Sequence, residues 1–331
     1  MKEPEVKVVP MRLMRRVSTI LLCAAAFALF QIATAPNALA DPILGSNLST
    51  FAVLGGSTVT NTGPTTLTGS LGVSPGSAIT GFYGTVENDG PGTINSGTGV
   101  VHEGDPFANL AHTQLITAIT ALEGMASSAT DIPGGILGGK TLGPGVYTTL
   151  PSDTLTMGLT GTLTLDGGGN ANALWVFLVH SALTTASSSV VSVIDTGAGA
   201  GVYWVMETES ATLGSSSTFE GNILAYASIT AGTSATDPCG RLLAQTGAVS
   251  LGANTIGIGC SDTLAGSNGL SGGGTLSYPN GPTGTPVITP LPYDRIPEPG
   301  TFMLLGAGIA CLVARRRRFG ARAQRDLASK A

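Results

Sequence analysis

The chain has 331 residues, of which 48 are glycine and only 11% are charged. Between residues 41 and 299, three basic residues (Lys140, Arg241, Arg295) stand against seventeen acidic ones. That balance excludes a nucleic-acid partner, which would need Lys and Arg to displace phosphate counterions. It also leaves apolar burial and backbone hydrogen bonding to carry the fold.

Residues 1–40 have the form of a secretion signal. Lys7, Arg12, Arg15 and Arg16 supply the positive region, an apolar stretch runs from Val17 to about Ile32, and Ala38-Leu39-Ala40 is a small-x-small cleavage site before Asp41. An uncleaved anchor helix is the alternative reading, and Met11 and Met14 are alternative starts.

From Phe51 to Thr65, apolar and threonine residues alternate as in a strand followed by a turn, and Leu71-Gly72-Val73-Ser74-Pro75-Gly76 follows. One segment breaks the β pattern. Asp105 and Pro106 form an N-cap and first turn. Phe107, Ala111, Leu115, Ala118 and Leu122 then recur at helical spacing. The spacing predicts a helix over about 106–127, with Gly124 a plausible stop. A lone amphipathic helix in a β chain must lie along a sheet to bury its stripe.

Thr162-Leu163-Thr164-Leu165 alternates and leads into Asp166-Gly167-Gly168-Gly169-Asn170, which reads as a turn. Leu174–Val179 and Val202-Tyr203-Trp204-Val205-Met206 are continuous apolar runs, the pattern of strands buried on both sides. Trp175 and Trp204 read as part of that packing, with carbohydrate stacking as the alternative.

Between Leu183 and Ile256 one phrase recurs: an apolar residue, Thr or Ser, any residue, Gly or Ala, then small polar residues. It places Thr184, Thr212, Thr230 and Ser250 at steps of 28, 18 and 20 residues. Steps of about 20 residues fit the coils of a β-solenoid. Ser187, Ser215, Thr233 and Ala253 form a neighbouring column. The same columns would also serve simply to solvate an exposed sheet.

Cys23 falls in the signal and Cys311 in the tail. Cys239 and Cys260 remain, 21 residues apart or about one coil. An exported pair at that spacing is a candidate disulfide, with two free thiols as the alternative. Residues 263–296 are rich in Gly, Ser, Thr and Pro and read as a linker.

The C-terminus carries Pro297-Glu298-Pro299, an apolar stretch Thr301–Ala314, then Arg315, Arg316, Arg317 and Arg318. The stretch is short for a stable span, and the arginines favour the cytoplasmic side. The block resembles the PEP-CTERM sorting tail of Gram-negative bacteria. The resemblance implies recognition by an exosortase at Pro297-Glu298-Pro299, a transient membrane-anchored precursor, and release or attachment at the cell surface. A plain membrane anchor is the alternative.

The central region resembles the ice-binding-like family. The resemblance rests on Phe51–Pro64, Gly72–Gly76, Leu163–Gly169 and Gly240–Val249, and spans about 45–260. It implies an irregular parallel β-solenoid of triangular section with one long α-helix alongside. It also implies secretion and, in several members, ice binding through a flat Thr/Ser/Ala face. Thr230-Ala231-Gly232-Thr233 is similar to a Thr-Ala/Gly-x-Thr/Asn motif of active relatives, while Thr246-Gly247-Ala248-Val249 departs from it at the last place.

The domain plan expected from sequence is a signal (1–40), a solenoid (41–262), a linker (263–296), a sorting motif with a short transmembrane segment (297–318) and a cytoplasmic tail (319–331). The candidate ice-binding residues are Thr184, Ser187, Thr212, Ser215, Thr230, Thr233 and Ser250. The expected partners are ice or extracellular polysaccharide, the Sec export machinery, the exosortase, and the membrane before processing. The alternative function is adhesion or matrix building through the same face. An enzyme is disfavoured, because polysaccharide lyases on solenoids need clustered Asp with Lys or Arg. No metal or cofactor is expected, since His102, Glu103, Asp105 and His112 match no zinc spacing.

Overall fold

The computed structural model describes residues 42–85, 87–95, 97–149, 156–281 and 283–295. The signal with Ala38 and Ala40 lies outside the described residues. So does the tail with Pro297, Glu298, Pro299, Arg315, Arg316, Arg317 and Arg318.

Short strands stack in parallel and wind around one core. They build three sheets. The first runs Val101–Glu103, Ser70–Val73, Phe51–Gly55, Gly240–Ala244, Gly221–Ala225, Gly201–Met206, Leu174–Val179, Gly145–Thr148 and Thr130–Asp131. The second runs Met157–Leu159, Leu183–Thr185, Ala211–Leu213, Ile229–Ala231, Val249–Leu251, Thr58–Asn61 and Ala78–Thr80. The third comprises Thr141–Leu142, Thr162–Asn170 and Val190–Thr196 on one side, and Thr236–Asp237, Thr255–Gly257, Thr66–Thr68 and Thr93–Ile94 on the other. Thr218 bridges Val190 and Thr236 and joins these two groups.

The spatial order differs from the chain order. The chain enters mid-stack, builds outward to Val101–Glu103, and crosses as a helix to the opposite end at Thr130–Asp131. It then coils back until Gly240–Ala244 pairs with Phe51–Gly55, with Val53 beside Leu242 and Leu54 beside Leu243. Closing that junction requires contacts far apart in sequence, whose loop-closure entropy must be met before they form.

The helix spans Pro106–Glu123. The Asp105 carboxylate accepts a hydrogen bond from the Ala108 amide at 2.8 Å, so the N-cap read from sequence is present. Eighteen residues at 1.5 Å rise give about 27 Å, enough to lie across most of the first sheet. Its Ala111, Leu115, Ala118 and Leu122 pack with Phe51, Leu54, Val176, Leu178, Tyr203, Val205, Leu224 and Leu243. The other side of the same sheet sends Trp175, Phe177, Val179, Val202, Trp204 and Met206 into the solenoid core. This double burial is why those strands read as continuous apolar runs. Phe177 and Trp204 are register partners and stack on neighbouring rungs.

Three expectations are corrected. The α-helix ends at Glu123, and a separate 3-10 turn covers Ala126–Ser128. Gly124 caps it with φ −58, so its left-handed freedom goes unused. The run Asp166–Asn170 is no reversal. Thr162–Asn170 is one strand whose register shifts between Asp166 and Asn170, and Gly168 and Gly169 (φ 58 and 79) absorb the irregularity.

The stretch read as a linker folds onto the domain. Leu264, Leu270 and Ile288 are buried, and Gly274–Ser277 pairs with Val287–Pro290 as an antiparallel hairpin. Sparse apolar residues suffice there because polar groups hold the segment. Arg241, fully buried, donates to the carbonyls of Ser49, Asn268 and Gly269 and to the side-chain oxygens of Asn222 and Asn268. Tyr203 donates to the Ser271 carbonyl, and Asn222 to the Leu270 carbonyl.

Candidate functional site

The second sheet presents its outer side to solvent. Cα pairing aligns Thr184 with Thr212, Thr212 with Thr230, and Thr230 with Ser250. The column read from sequence is therefore one straight row. It is longer than the sequence indicated. Ser250 pairs with Thr60, and Thr60 with Thr80, so hydroxyls occupy six consecutive rungs, with Gly158 beyond Thr184. Parallel strands set these rungs roughly 4.8 Å apart. Leu183, Ala211, Ile229, Val249, Val59 and Ile79 lie beneath, buried in the core. Strand alternation thus forces the hydroxyls outward.

Small residues flank the row. Two positions earlier in the chain, at or just before the start of each strand, stand Ala182, Ser210, Ser228, Ala248, Thr58 and Ala78. Of the other predicted column, Ser187, Ser215 and Thr233 line up at the corner after the strands, but Gly252 takes the next place and Ala253 (φ 59) falls one position later, because Val249–Leu251 turns the corner one residue sooner. There Ser188, Ser216 and Ser234 adopt positive φ of 59, 57 and 61. Their amides donate at 3.0 Å to the carbonyls of Ser215, Thr233 and Gly252, which keeps the corner in register with the sheet. Ser187, Ser215 and Thr233 are exposed, and Ala253 is half-buried.

A second threonine row escaped the sequence reading. On the third sheet Thr93, Thr66, Thr255, Thr236 and Thr218 occupy five successive rungs, followed by Val190 and Thr162. Its signal was present in Thr218, Thr236 and Thr255, each a few residues past a corner serine or alanine. The neighbouring positions on this sheet are uneven: Asn95, Pro238 and the exposed Ile194 interrupt them.

Cys239 and Cys260 form a disulfide with Cα atoms 4.7 Å apart. The residues weighed as a metal set are engaged in structural contacts. His102 pairs with Asp105 at 2.7 Å, and His112 Nε2 lies 2.7 Å from the Gln245 carbonyl oxygen. Burial works against ionisation of Asp105, yet the Ala108 amide and His102 hold its carboxyl below the usual range. Among the described residues no group of three or more His, Cys, Asp or Glu is placed to hold a metal ion.

Two buried ionisable groups stand out. Asp237 points into the core, and no hydrogen bond of normal geometry reaches either carboxylate oxygen. Burial and the nearby Glu220 charge push its pKa well above the ordinary value, only partly offset by Arg241 and the amides of Gly221 and Cys239. Arg241 is lowered by burial to about 10.

The fold is thus a three-sided parallel solenoid, with one sheet sealed by a helix and another carrying a straight row of hydroxyls among small residues. Residues 53–257 match the ice-binding-like family model, and residues 295–318 match the PEP-CTERM protein-sorting motif. The chain belongs to the ice-binding-like family, and its tail marks it for export and surface sorting.

An ice-binding protein of Nostoc sp. (strain HG1) is 44% identical over 241 residues, 73% of this chain and 82% of that protein. The crystal structure of an ice-binding protein from the Antarctic ascomycete Antarctomyces psychrotrophicus superposes with a TM-score of 0.57 at 34% identity. It covers 67% of this chain and all (100%) of that one. Another ice-binding protein, from an Antarctic biological consortium, gives 0.56 at 36% identity, with 65% and 90% covered.

Proposed function

We propose that this protein binds ice through the outer side of the second sheet. The observation that carries the reading is the unbroken row Thr184, Thr212, Thr230, Ser250, Thr60 and Thr80, flanked by Ala, Ser and Thr. A threonine methyl excludes water while its hydroxyl anchors it. β-branching restricts the Thr rotamers, so the row is preorganised. Repetition at roughly 4.8 Å along the axis offers bound water a lattice-like template. Ser187, Ser215 and Thr233 extend this surface at the corner. The third sheet carries its own threonine row, but its uneven neighbours disfavour a flat contact.

Adhesion to polysaccharide or cell surfaces through the same side is the competing reading. The similarity to ice-binding proteins favours ice. Partition of the purified mature chain, from Asp41 onward, into a growing ice front tests the choice. Enrichment in the ice fraction supports ice binding. Exclusion from it, with no recrystallisation inhibition, sinks the reading.

Export is the second half of the proposal. A Sec-type signal ending at Ala38-Leu39-Ala40 delivers the chain to an oxidising compartment, consistent with the Cys239–Cys260 bridge. An exosortase of a Gram-negative bacterium reads Pro297-Glu298-Pro299. The apolar stretch after it, followed by Arg315, Arg316, Arg317 and Arg318, holds the precursor in the membrane until processing.

A further inference from the structure

The last described residues are fastened to the solenoid. The Leu291 amide donates to the Gly273 carbonyl at 2.9 Å, and the Asn172 side chain donates to the Pro292 carbonyl at 3.3 Å. Tyr293 Oη donates to the Gly168 carbonyl at 3.1 Å. The Asp294 amide donates to Asn170 Oδ1 at 3.1 Å, and the Asp294 carbonyl accepts from the Ala171 amide at 2.6 Å. Arg295 forms an antiparallel bridge with Asn170. The receiving element is the glycine-rich end of Thr162–Asn170. Gly168 and Gly169 leave its carbonyl and flank open to the Tyr293 ring; a Cβ on Gly169 would sit 3.4 Å from the phenol oxygen.

Two residues after this bridge the Pro297-Glu298-Pro299 motif begins, and the apolar stretch starts at Thr301. Six residues of extended chain reach at most about 20 Å. While 291–295 stays bound, no more than that length of chain separates the solenoid from the apolar stretch. A processing enzyme that takes its substrate as an extended strand competes with the solenoid for the same backbone.

We propose that Leu291–Arg295 is a strap that gates sorting: bound to Gly168–Asn172 it withholds the tail from the exosortase, and local release presents it. This rests on the sorting reading given above. The contacts are exposed and few, the kind of segment that opens locally without unfolding the domain.

The test uses the full-length precursor in a host with an active exosortase, with conversion to the mature form followed by pulse-chase. Tyr293→Ala combined with Asn170→Ala opens the strap. Conversion is expected to speed up about 3- to 10-fold, the range for losing one or two exposed hydrogen bonds. Asn170→Cys with Arg295→Cys places cysteines on antiparallel bridge partners, a separation a disulfide can span. That variant should accumulate as precursor until reductant is added.

Trypsin cleavage after Arg295 gives a readout independent of the exosortase. It is expected to speed up in a Tyr293→Ala precursor at unchanged melting temperature. Equal trypsin rates for wild type and Tyr293→Ala would show that no strap exists. Equal conversion rates for wild type, opened and locked chains would overturn the gate. A precursor that converts in neither the wild type nor the opened Tyr293→Ala, Asn170→Ala variant, although Tyr293→Ala speeds trypsin cleavage, would instead overturn the sorting reading and with it the gate.

Discussion

Thr60 and Ser250 stand on neighbouring rungs with their hydroxyl oxygens 3.5 Å apart, although 190 residues separate them in the chain. The row of hydroxyls is thus assembled from both ends of the domain. It is complete only when the first coil has docked on the last. Anything that loosens that junction should shorten the binding surface before it unfolds the core.

The disulfide lies close to this junction, just past Thr255–Gly257, which pairs with Thr66–Thr68. Replacing Cys239 and Cys260 by serine should cost about 3 kcal/mol, from a 21-residue loop no longer closed in the unfolded chain. Urea unfolding of wild type with and without reductant, beside the double variant, measures it. Coincident midpoints would contradict the estimate.

Arg241 fastens the Asn268–Gly269 segment and the Ser49 carbonyl to the first sheet from a fully buried position. Arg241→Ala leaves several carbonyl oxygens without donors and should cost about 3–5 kcal/mol. Arg241→Lys should not restore the loss, because an ammonium cannot reproduce the planar fork. Hydrogen exchange should accelerate first across residues 264–273, ahead of the solenoid strands. Uniform acceleration throughout the domain would show that Arg241 holds the whole fold rather than this segment.

Asp237 makes stability depend on pH in an unusual direction. Its folded pKa is raised by burial and by Glu220, so the folded state holds a proton that the unfolded chain releases near 4. Its favourable contribution is complete below the unfolded pKa and is lost as pH rises through the folded one. Melting temperature should therefore climb as the solution is acidified from neutrality toward pH 5. Asp237→Asn should flatten that slope. A wild-type melting temperature that falls steadily over the same range would contradict the assignment.

Much of this was legible locally. The Asp105 cap, the helical stripe through Ala111 and Leu115, and the recurrence of Thr184, Thr212, Thr230 and Ser250 all follow from spacing, because alternation and helical pitch act over a few residues. Thr60 and Thr80 were not assigned to the row. Their place depends on Phe51–Gly55 pairing with Gly240–Ala244, a long-range choice no local pattern records. The folded segment after residue 263 was missed for a related reason. It is held by Arg241, Asn222 and Tyr203 through backbone carbonyls, so its own sequence needs few apolar residues.

The row itself is probed by a bulky side chain at its centre. Thr230 is exposed, and its neighbours Thr212 and Ser250 are small, so a ring there stands above the flat surface without disturbing the core. Thr236→Tyr places a ring on the third sheet, from a half-buried threonine. The measurement is ice affinity of the two variants against wild type, with melting temperatures matched. The expected result is that Thr230→Tyr loses at least about tenfold in ice affinity, because one protruding ring lifts several rungs from contact, while Thr236→Tyr retains it. Retention in Thr230→Tyr with loss in Thr236→Tyr would move the ice contact to the third sheet and contradict the account.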